Sequence, residues 1–435
     1  MTDATSIFDQ RVRAKPGTKP RKRSGTASWH MSKGAVTLTL EDVYGMTDYQ
    51  VHEFWVRQRW SSRDNVVCPH CGTIDTHYWR KTSSRWKCAA CDKTFSVTSN
   101  TPFAQHKRTL RQLTAMALVW VNGASGSPAL QGRRNTGGRY NTAFVNEHKL
   151  REPLMRLFNV GLVGGDIEMD GVHISGRNSV GKRGKPQVTL PVDIMTAEQA
   201  GQQLESLQNK LQAHSTKVGE AQKKRKAAAG AARDGTYGLT LNKDRRIVIC
   251  VRTRSNVPGV GAQRTRVSVG RTEGPVAVHT TIHEFIAVSE SVLNTDGAKA
   301  YIEPGRQFLA HRSVEHAKEL VGPNGENTNL GEEFARRHKR AERGIYLNIE
   351  PKHMLDYGAE TAWRSDTRRL GNGGQLENLL AVALRNGRSR FWRGYTRGRH
   401  RTVEFIAGEG EVAAPASGPK KGMKPNSQMN GRPPR

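Results

Sequence analysis

The stretch CPHCGTIDTHYWRKTSSRWKCAAC, residues 68–91, decides the fold of the first third of the chain. Cys68 and Cys71 form one CxxC pair, Cys88 and Cys91 form a second, and sixteen residues separate the pairs. Two residues between cysteines let a tight turn aim both thiolates at one metal ion, and the spacer is long enough for a β-hairpin. The spacing therefore predicts a zinc ribbon. Because four thiolates leave no open coordination position, we expect the zinc to be structural.

Other residues that could bind a metal do not change the prediction of a four-cysteine zinc site. His70 and His77 are spare candidate ligands, which we interpret as surface side chains. The fifth cysteine, Cys250, lies in an apolar run and is interpreted as a small buried hydrophobe. Four of the five cysteines fall within 24 residues, which in a cytosolic chain indicates metal binding and not disulfides.

The charge of the chain points to its partner. Lys and Arg number 69 against 39 Asp and Glu, so the formal net charge is +30 over 435 residues. A charge of this size needs a polyanionic partner. No stretch approaches the roughly 18 uninterrupted apolar residues of a spanning helix, which excludes a membrane protein. The basic N-terminus lacks the apolar segment of a signal peptide, which argues against secretion.

Composition predicts a basic segment at each end of the chain. Residues 1–38 carry many basic and few apolar residues, which predicts a disordered arm that tracks DNA or serves solubility. Residues 39–104 hold the ribbon, preceded by a short helix from Asp42 to Arg59. Residues 371–435 are predicted to be a basic, mostly disordered C-terminal tail.

Residues 105–160 predict a helix-turn-helix. An apolar helix around 110–120 is followed by a helix starting at Ser127-Pro128, a glycine turn at 137–138 and a second helix over about 140–157. Such a second helix presents polar side chains to a major groove, although an ordinary helical hairpin has the same pattern. The candidate DNA-binding residues are Arg133, Arg134, Arg139, Tyr140, Asn141, Thr142, Asn146 and Lys149.

From Asp166 onward the pattern changes to β. Residues 166–174 alternate, with Asp166, Glu168 and Asp170 on one face. Further strands are predicted at 187–194, 246–252 and 264–269, then a helix at 280–292 and a strand that ends at Asp296. Residues 177–243 contain an inserted basic helix or short coiled coil.

Acidic residues from three of these segments suggest a metal site. Asp170 lies on a strand, Asp296 at the end of another, and a later helix carries Asn329, Glu332 and Glu333. Two-metal phosphoryl transfer on DNA needs such an arrangement, because hard cations prefer carboxylate oxygens. Solvated surface carboxylates are the alternative interpretation.

Taken in order, these blocks resemble the zinc-ribbon, DDE-type transposases of bacterial insertion sequences, the ISXO-type group related to the Merlin elements. The resemblance spans about residues 50–370 and is interrupted by the insertion. The motifs that carry it are Cys68-Pro-His-Cys71-Gly, Trp86-Lys-Cys88-Ala-Ala-Cys91, Glu168-Met-Asp170, Thr295-Asp296-Gly297 with Tyr301, Asn329-Leu-Gly-Glu332, Lys339-Arg340, and Tyr357, Glu360 and Trp363-Arg364 of a closing helix.

The resemblance implies a multidomain α/β protein in which residues 161–370 form an RNase H-like catalytic domain with a helical insertion at 177–243. Asp170, Asp296 and Glu332 would hold two Mg²⁺ ions, with Mn²⁺ as a substitute. Asn329 and Glu333 remain alternatives for the third ligand, and Lys339 would lie near the DNA.

The implied reaction is hydrolysis of the element's ends to free 3′-OH groups, which then attack target DNA. The ribbon and helix-turn-helix would bind the terminal inverted repeats. The implied partners are double-stranded DNA and at least one further copy of the chain, in the bacterial cytoplasm at the nucleoid.

The sequence also departs from the family's pattern. Gly171 stands where these proteins usually have another acid, Asn327 replaces a frequent His, and Asp366 replaces an Asn. The competing hypothesis is therefore a catalytically inactive or domesticated zinc-ribbon and helix-turn-helix DNA-binding protein. An RNA-binding ribbon protein is a third hypothesis, but aromatic residues make up only 6% and form no stacking cluster in the sequence.

Overall fold

The computed structural model describes residues 29–74, 76–175, 245–257, 261–314 and 327–414. These residues belong to one compact unit, Met1–Asn178 together with Asp244–Arg435. Most of the N-terminal arm, the strand predicted at 187–194 and the inserted basic helix lie outside the described residues.

Two helices precede the ribbon where the sequence predicted one. Helix α1 spans Leu40–Gly45 and helix α2 spans Asp48–Trp60. The single helix predicted from Asp42 to Arg59 is wrong because Thr47 accepts a hydrogen bond from the backbone N–H of Gln50 and thereby starts a new helix with a capping box.

The ribbon itself is a small antiparallel sheet. Strand β1 (His77–Arg80) pairs with β2 (Arg85–Cys88), which pairs with β3 (Thr94–Phe95). The hairpin predicted between the CxxC pairs is therefore present. Beneath it, Trp86 stacks on Phe95 and contacts Trp60 edge-on, which fixes the ribbon to α2.

Three helices connect the ribbon to the second half of the chain. They are α3 (Leu110–Asn122), α4 (Ala129–Thr136) and α5 (Tyr140–Pro153). Helices α4 and α5 meet at Gly137 and Gly138, both with positive φ. Arg108 closes this turn by donating hydrogen bonds to the carbonyls of Thr136 and Gly137.

A five-stranded mixed sheet forms the second half. Its strands are β4 (Val163–Ser175), β5 (Arg245–Arg254), β6 (Ala262–Gly270), β7 (Ile286–Thr295) and β8 (Ala310–Ser313), in the order β6-β5-β4-β7-β8. The pairs β4–β5 and β5–β6 are antiparallel, whereas β4–β7 and β7–β8 are parallel.

Helices cover both faces of this sheet. Helices α6 (Pro275–Phe285) and α7 (Lys299–Gly305) lie on the face formed by Ile167, Met169 and Ile249. Helices α8 (Asn329–Ala341) and α9 (Met354–Asp366) lie on the opposite face, which is formed by residues such as Val172 and by Cys250, buried as expected.

The helix predicted over 280–292 is partly wrong. Helix α6 ends at Phe285, and residues 286–295 form the parallel strand β7. Val292 and Leu293 are held there by pairing with Asp166 and Ile167 of β4. This long-range pairing decides the conformation of a segment whose local pattern is compatible with either state.

The prediction of a mostly disordered tail does not hold for residues 371–414. Helix α10 (Asn372–Arg385) buries Leu376, Leu379 and Leu380 in the core, and strands β9 (Val403–Ile406) and β10 (Gly410–Ala413) form a hairpin. The side chain of Asn372 accepts hydrogen bonds from the backbone N–H groups of Thr37 and Leu38 at 2.8 and 3.0 Å. The basic composition of residues 371–435 as a whole gave no indication of the leucines that α10 buries.

Candidate metal and catalytic sites

The two CxxC turns have the same backbone geometry. The N–H of Gly72 donates to the carbonyl of Cys68, and the N–H of Asp92 donates to the carbonyl of Cys88. Gly72 and Asp92 both have positive φ, at 79° and 58°. Each turn therefore presents its two sulfur atoms on one side.

The four cysteines fit a tetrahedral zinc ion. All four sulfur atoms lie within 4.8 Å of one another. Cys68 Sγ is 3.7 Å from Cys91 Sγ, and Cys71 Sγ is 3.6 Å from Cys88 Sγ. Zn–S bonds of about 2.3 Å in a tetrahedron place sulfur atoms about 3.8 Å apart. His70 is exposed, and His77 Nε2 lies 3.0 Å from the carbonyl oxygen of Val66, so neither histidine belongs to the sulfur cluster.

Parallel pairing places two of the predicted catalytic acids side by side. Glu168 of β4 pairs with Asn294 of β7, and this is the last pair between the two strands. Asp170 lies two residues further along β4, and Asp296 lies directly after the last residue of β7, Thr295. Neighbouring strands lie about 4.8 Å apart, so the two acids lie near each other, and the charge of Asp296 acts on Asp170. Because β7 ends at Thr295, β4 has an open edge at Asp170.

A third acid, Glu273, joins these two from the loop between β6 and α6. Burial, then the charge of Asp296, then that of Glu273 raise the pKa of Asp170 to about 6. Burial and the charge of Asp296 also raise the pKa of Glu273. We call Asp170, Asp296 and Glu273 the acidic edge. Sequence reasoning missed Glu273, because a lone acid in a loop gives no periodic or spacing signal.

Helix α8 is docked directly above Asp170. The backbone N–H groups of Leu330 and Gly331 donate to Oε2 of Glu168 at 2.7 and 3.1 Å, so Glu168 caps this helix. A Cβ atom at Gly331 would lie 2.7 Å from Cβ of Asp170, which shows how closely the helix approaches. Asp166 accepts a hydrogen bond from the Asn294 amide at 2.6 Å. Glu168 and Asp166 thus have structural partners.

The candidate residues on α8 differ in their surroundings. Glu333 pairs with the buried Arg252 at 2.6 Å and also with Arg337. Glu332 and Asn329 are exposed in the first turn of the same helix. Lys339, two turns further on, is half-buried, and its charge acts on Asp170.

The carboxylates are more widely spaced than the thiolates. Over the described ranges, only the four cysteines form a group of three or more His, Cys, Asp or Glu whose ligand atoms all lie within 4.8 Å of one another. The structure therefore brings Asp170 and Asp296 to one edge and α8 above them, without drawing their oxygens into a closed cluster.

Most of the predicted DNA-binding residues lie on the surface of the α4–α5 unit. Arg133, Arg134, Arg139, Tyr140 and Asn141 are exposed, whereas Thr142, Asn146 and Lys149 are half-buried.

The opposite side of α5 carries a buried cluster of charges. Arg151 donates to Glu360 of α9 at 2.6 Å, Arg364 donates to the same carboxylate at 2.9 Å, and Glu147 lies 3.5 Å from Arg151. The hydroxyl of Tyr346 donates to Glu360 as well, at 2.8 Å. We call Glu147, Arg151, Glu360 and Arg364 the matched cluster, because each carboxylate has a guanidinium partner.

Two protein-family models match the chain. One, described as a transposase zinc-ribbon domain, matches residues 46–94, which include all four cysteines of the ribbon. The other, described as an ISXO2-like transposase domain, matches residues 206–366. The chain thus contains a zinc-ribbon domain and a transposase domain of the IS1595 type.

The residues that match the transposase-domain model include Asp296, Asn329, Glu332 and Lys339, whereas Asp170 precedes the matched range. The resemblance to zinc-ribbon DDE transposases is confirmed. Neither the curated proteins nor the solved structures contain a match to this chain. No helix among its described residues is long and apolar enough to cross a membrane.

Proposed function

We propose that the chain is a metal-dependent transposase that cleaves the ends of its insertion sequence to free 3′-OH groups and joins them to target DNA. The observation that carries this proposal is the meeting of Asp170 and Asp296 at the open edge of β4, where their negative charges oppose each other. Folding alone gives no reason to bring two half-buried acids together in that way, whereas a divalent cation does.

The residues present fit such a cation. Asp170, Asp296 and Glu332 would hold two Mg²⁺ ions, or Mn²⁺ in their place, through hard carboxylate oxygens. When bound, the ions would act as Lewis acids toward the DNA phosphate and its attacking oxygen. Of the two acids on α8, we assign Glu332 as the third ligand because it is exposed in the first turn of the helix, whereas Glu333 is half-buried against Arg252. Asn329 lies one turn from Glu332 and remains the alternative.

The chain's own residues would position the DNA strand. Lys339 lies on α8 close enough to act on Asp170, where an ammonium group can hold a phosphate beside the acids. The sheet order, with three antiparallel strands followed by two parallel ones, supports an RNase H-like catalytic domain.

Recognition of the terminal inverted repeats is assigned to the ribbon and to α4–α5 acting as a helix-turn-helix. The turn at Gly137 and the exposed Arg139, Tyr140 and Asn141 at the start of α5 support this assignment. A basic cavity of about 420 Å³ lies beside α5 and could take DNA phosphates. Its basic lining residues are Lys149, Arg388, Arg393, Arg397 and Arg399.

The proposal also includes a working assembly of at least two copies, since two DNA ends must be joined, and a location at the bacterial nucleoid. Size-exclusion chromatography with and without end DNA measures the first.

A cleavage assay tests the proposal. The full chain is incubated with a labelled duplex that carries the DNA flanking its own gene, with Mg²⁺ or without any added divalent metal, so that the zinc of the ribbon stays in place. We expect nicks with 3′-OH ends in Mg²⁺ only, and loss of nicking in Asp170→Ala and Asp296→Ala. Asp64→Ala, which changes an exposed acid of the ribbon region, is the matched control. DNA binding without any nicking would instead support the inactive or domesticated DNA-binding protein.

A further inference from the structure

Glu273 occupies the space in which a side chain at position 171 would lie. A Cβ atom at Gly171 would come within 2.4 Å of Cδ and Oε1 of Glu273 and within 2.6 Å of its Oε2. Real Cβ atoms do not approach other atoms so closely, so the carboxylate of Glu273 and a side chain at residue 171 exclude each other. Because Gly171 has no side chain, the carboxylate of Glu273, which comes from the loop after β6, can lie against β4.

The carboxylate of Glu273 is held in a fixed position. The hydroxyl of Tyr301 donates a hydrogen bond to its Oε1 at 2.6 Å, and Tyr301 itself is fully buried. The second oxygen, Oε2, lies 3.7 Å from Nε2 of the half-exposed His173. The side chain of Glu273 is 17% exposed. One oxygen is thus engaged by a rigid donor, and the other faces the more open side.

The open edge of β4 explains how acids from both faces of the sheet can converge. Asp170 and Gly171 are successive residues and point to opposite faces. Pairing between β4 and β7 stops at Glu168 and Asn294, so no strand separates the two faces beyond that point. Asp296 lies in this gap, and its charge acts on both Asp170 and Glu273.

From this geometry we propose that Glu273 is a further carboxylate ligand of the divalent-metal site, positioned by Tyr301 and admitted by Gly171. The inference rests on the proposed function, because it adds a ligand to the site of Asp170 and Asp296. If Glu273 had only a structural role, its hydrogen bond with Tyr301 would be sufficient, and a neutral acceptor could replace it. A ligand role requires its negative charge.

Manganese binding separates these roles without any measurement of activity. Binding of Mn²⁺ to the full chain is followed by electron paramagnetic resonance or calorimetry, and folding of each variant is checked by thermal unfolding without added Mn²⁺. Glu273→Gln keeps an acceptor for the Tyr301 hydroxyl but removes the charge. We expect it to weaken Mn²⁺ binding by about tenfold or more, and we expect the same of Asp170→Asn and Asp296→Asn. The matched control, Glu303→Gln, changes an exposed acid paired with Arg306 and should leave binding unchanged.

Relocating the carboxylate gives a second test. Glu273→Ala empties the space beside Gly171, so a Gly171→Asp/Glu273→Ala variant can carry the acid on β4 instead. We expect this variant to bind Mn²⁺ at least fivefold more tightly than Glu273→Ala. Equal affinities in the two would count against the inference.

The failures are distinguishable. Wild-type affinity in Glu273→Gln, with weakened binding in Asp170→Asn, overturns the role of Glu273 and leaves the proposed function intact. Undiminished affinity in all three single variants overturns the metal site itself, and the inference with it.

Discussion

The acidic edge and the matched cluster both shield carboxylates from water, but they differ in the charge of the groups that surround those carboxylates. In the matched cluster, burial alone would raise the pKa of Glu360, yet Arg151 and Arg364 outweigh burial and lower it. At the acidic edge, burial and the neighbouring acids act in the same direction and raise the pKa of Asp170 to about 6. Within the described part of the chain, no Arg or Lys forms an ion pair with Asp170 or Asp296.

This difference separates acids that hold the fold from acids that are kept for a ligand. A buried carboxylate with guanidinium partners stabilises the packing around it, and its loss leaves those partners uncompensated. Carboxylates that repel each other in the folded protein destabilise it until a cation arrives. The predictions below test this separation, from the largest expected effect to the smallest.

Neutralising the acidic edge should abolish activity without harming the fold. We expect Asp170→Asn and Asp296→Asn to reduce DNA nicking by about 10³-fold or more, since a metal-held charge supplies several kcal/mol at the transition state. The free energy of unfolding without added Mg²⁺, measured by urea denaturation, should be unchanged or higher, because each substitution removes a repulsive charge. A clear loss of stability in either variant would show that the acidic edge is a structural site.

Breaking the matched cluster should have the opposite effect, with a loss of stability and no loss of nicking activity. Glu360→Ala leaves the buried guanidinium groups of Arg151 and Arg364 without their carboxylate, and we expect a loss of about 3–5 kcal/mol in the free energy of unfolding. Glu303→Ala, at an exposed ion pair, should cost less than about 1 kcal/mol. Glu360→Ala protein that remains folded should still nick DNA. A loss of nicking in that folded fraction would show that the matched cluster also contributes to catalysis.

Two adjacent acids on α8 sharpen the comparison, because they differ in burial but not in residue type. Glu333→Gln removes the partner of Arg252, which is 1% exposed, and should lower the free energy of unfolding by about 2 kcal/mol. Glu332→Gln should change stability by less than about 0.5 kcal/mol, as most surface substitutions do, and should lower the rate of nicking. The reverse assignment of the two phenotypes would make Glu333 the third ligand.

The smallest expected effect concerns Glu147, the least well matched acid of its cluster. Burial raises the pKa of Glu147 to about 7, and Arg151 at 3.5 Å offsets this only in part. The folded protein therefore binds more protons than the unfolded chain between the two pKa values, so the contribution of Glu147 to stability falls as the pH rises through 7. We expect the stability of Glu147→Gln relative to wild type to rise by about 1 kcal/mol between pH 6 and pH 8. Denaturation at both pH values checks this, and a fall would show that the ionised form stabilises the cluster.

Local patterns were sufficient for some parts of the molecule. The cysteine spacing led directly to the ribbon, because two short turns and a hairpin fix all four sulfur atoms. The alternation of residues 166–174 predicted β4 and the face on which Asp170 lies. A strand was expected to end at Asp296, and β7 ends one residue earlier, at Thr295.

The parts that sequence could not predict depend on contacts between distant residues. Strand β7 exists because residues 292–294 pair with β4, and α10 is ordered because its leucines meet the core. Glu273 reaches the acidic edge only through the folding of the loop after β6. The surroundings of Glu333 likewise depend on Arg252, which lies some 80 positions away along the chain.

The position of α10 in the sequence bears on how the protein is made. Helix α10 packs among the helices of the N-terminal half, and Asn372 bonds to Thr37, Leu38 and, at 3.0 Å, to Asn122. At bacterial rates of translation, roughly 10 to 50 seconds separate the emergence of α3 from that of α10. During that interval the nascent chain exposes the apolar surface that α10 will cover, and such surface promotes aggregation. We therefore expect polypeptides truncated before residue 372 to be less soluble than the full-length chain, because their N-terminal helices lack this cover.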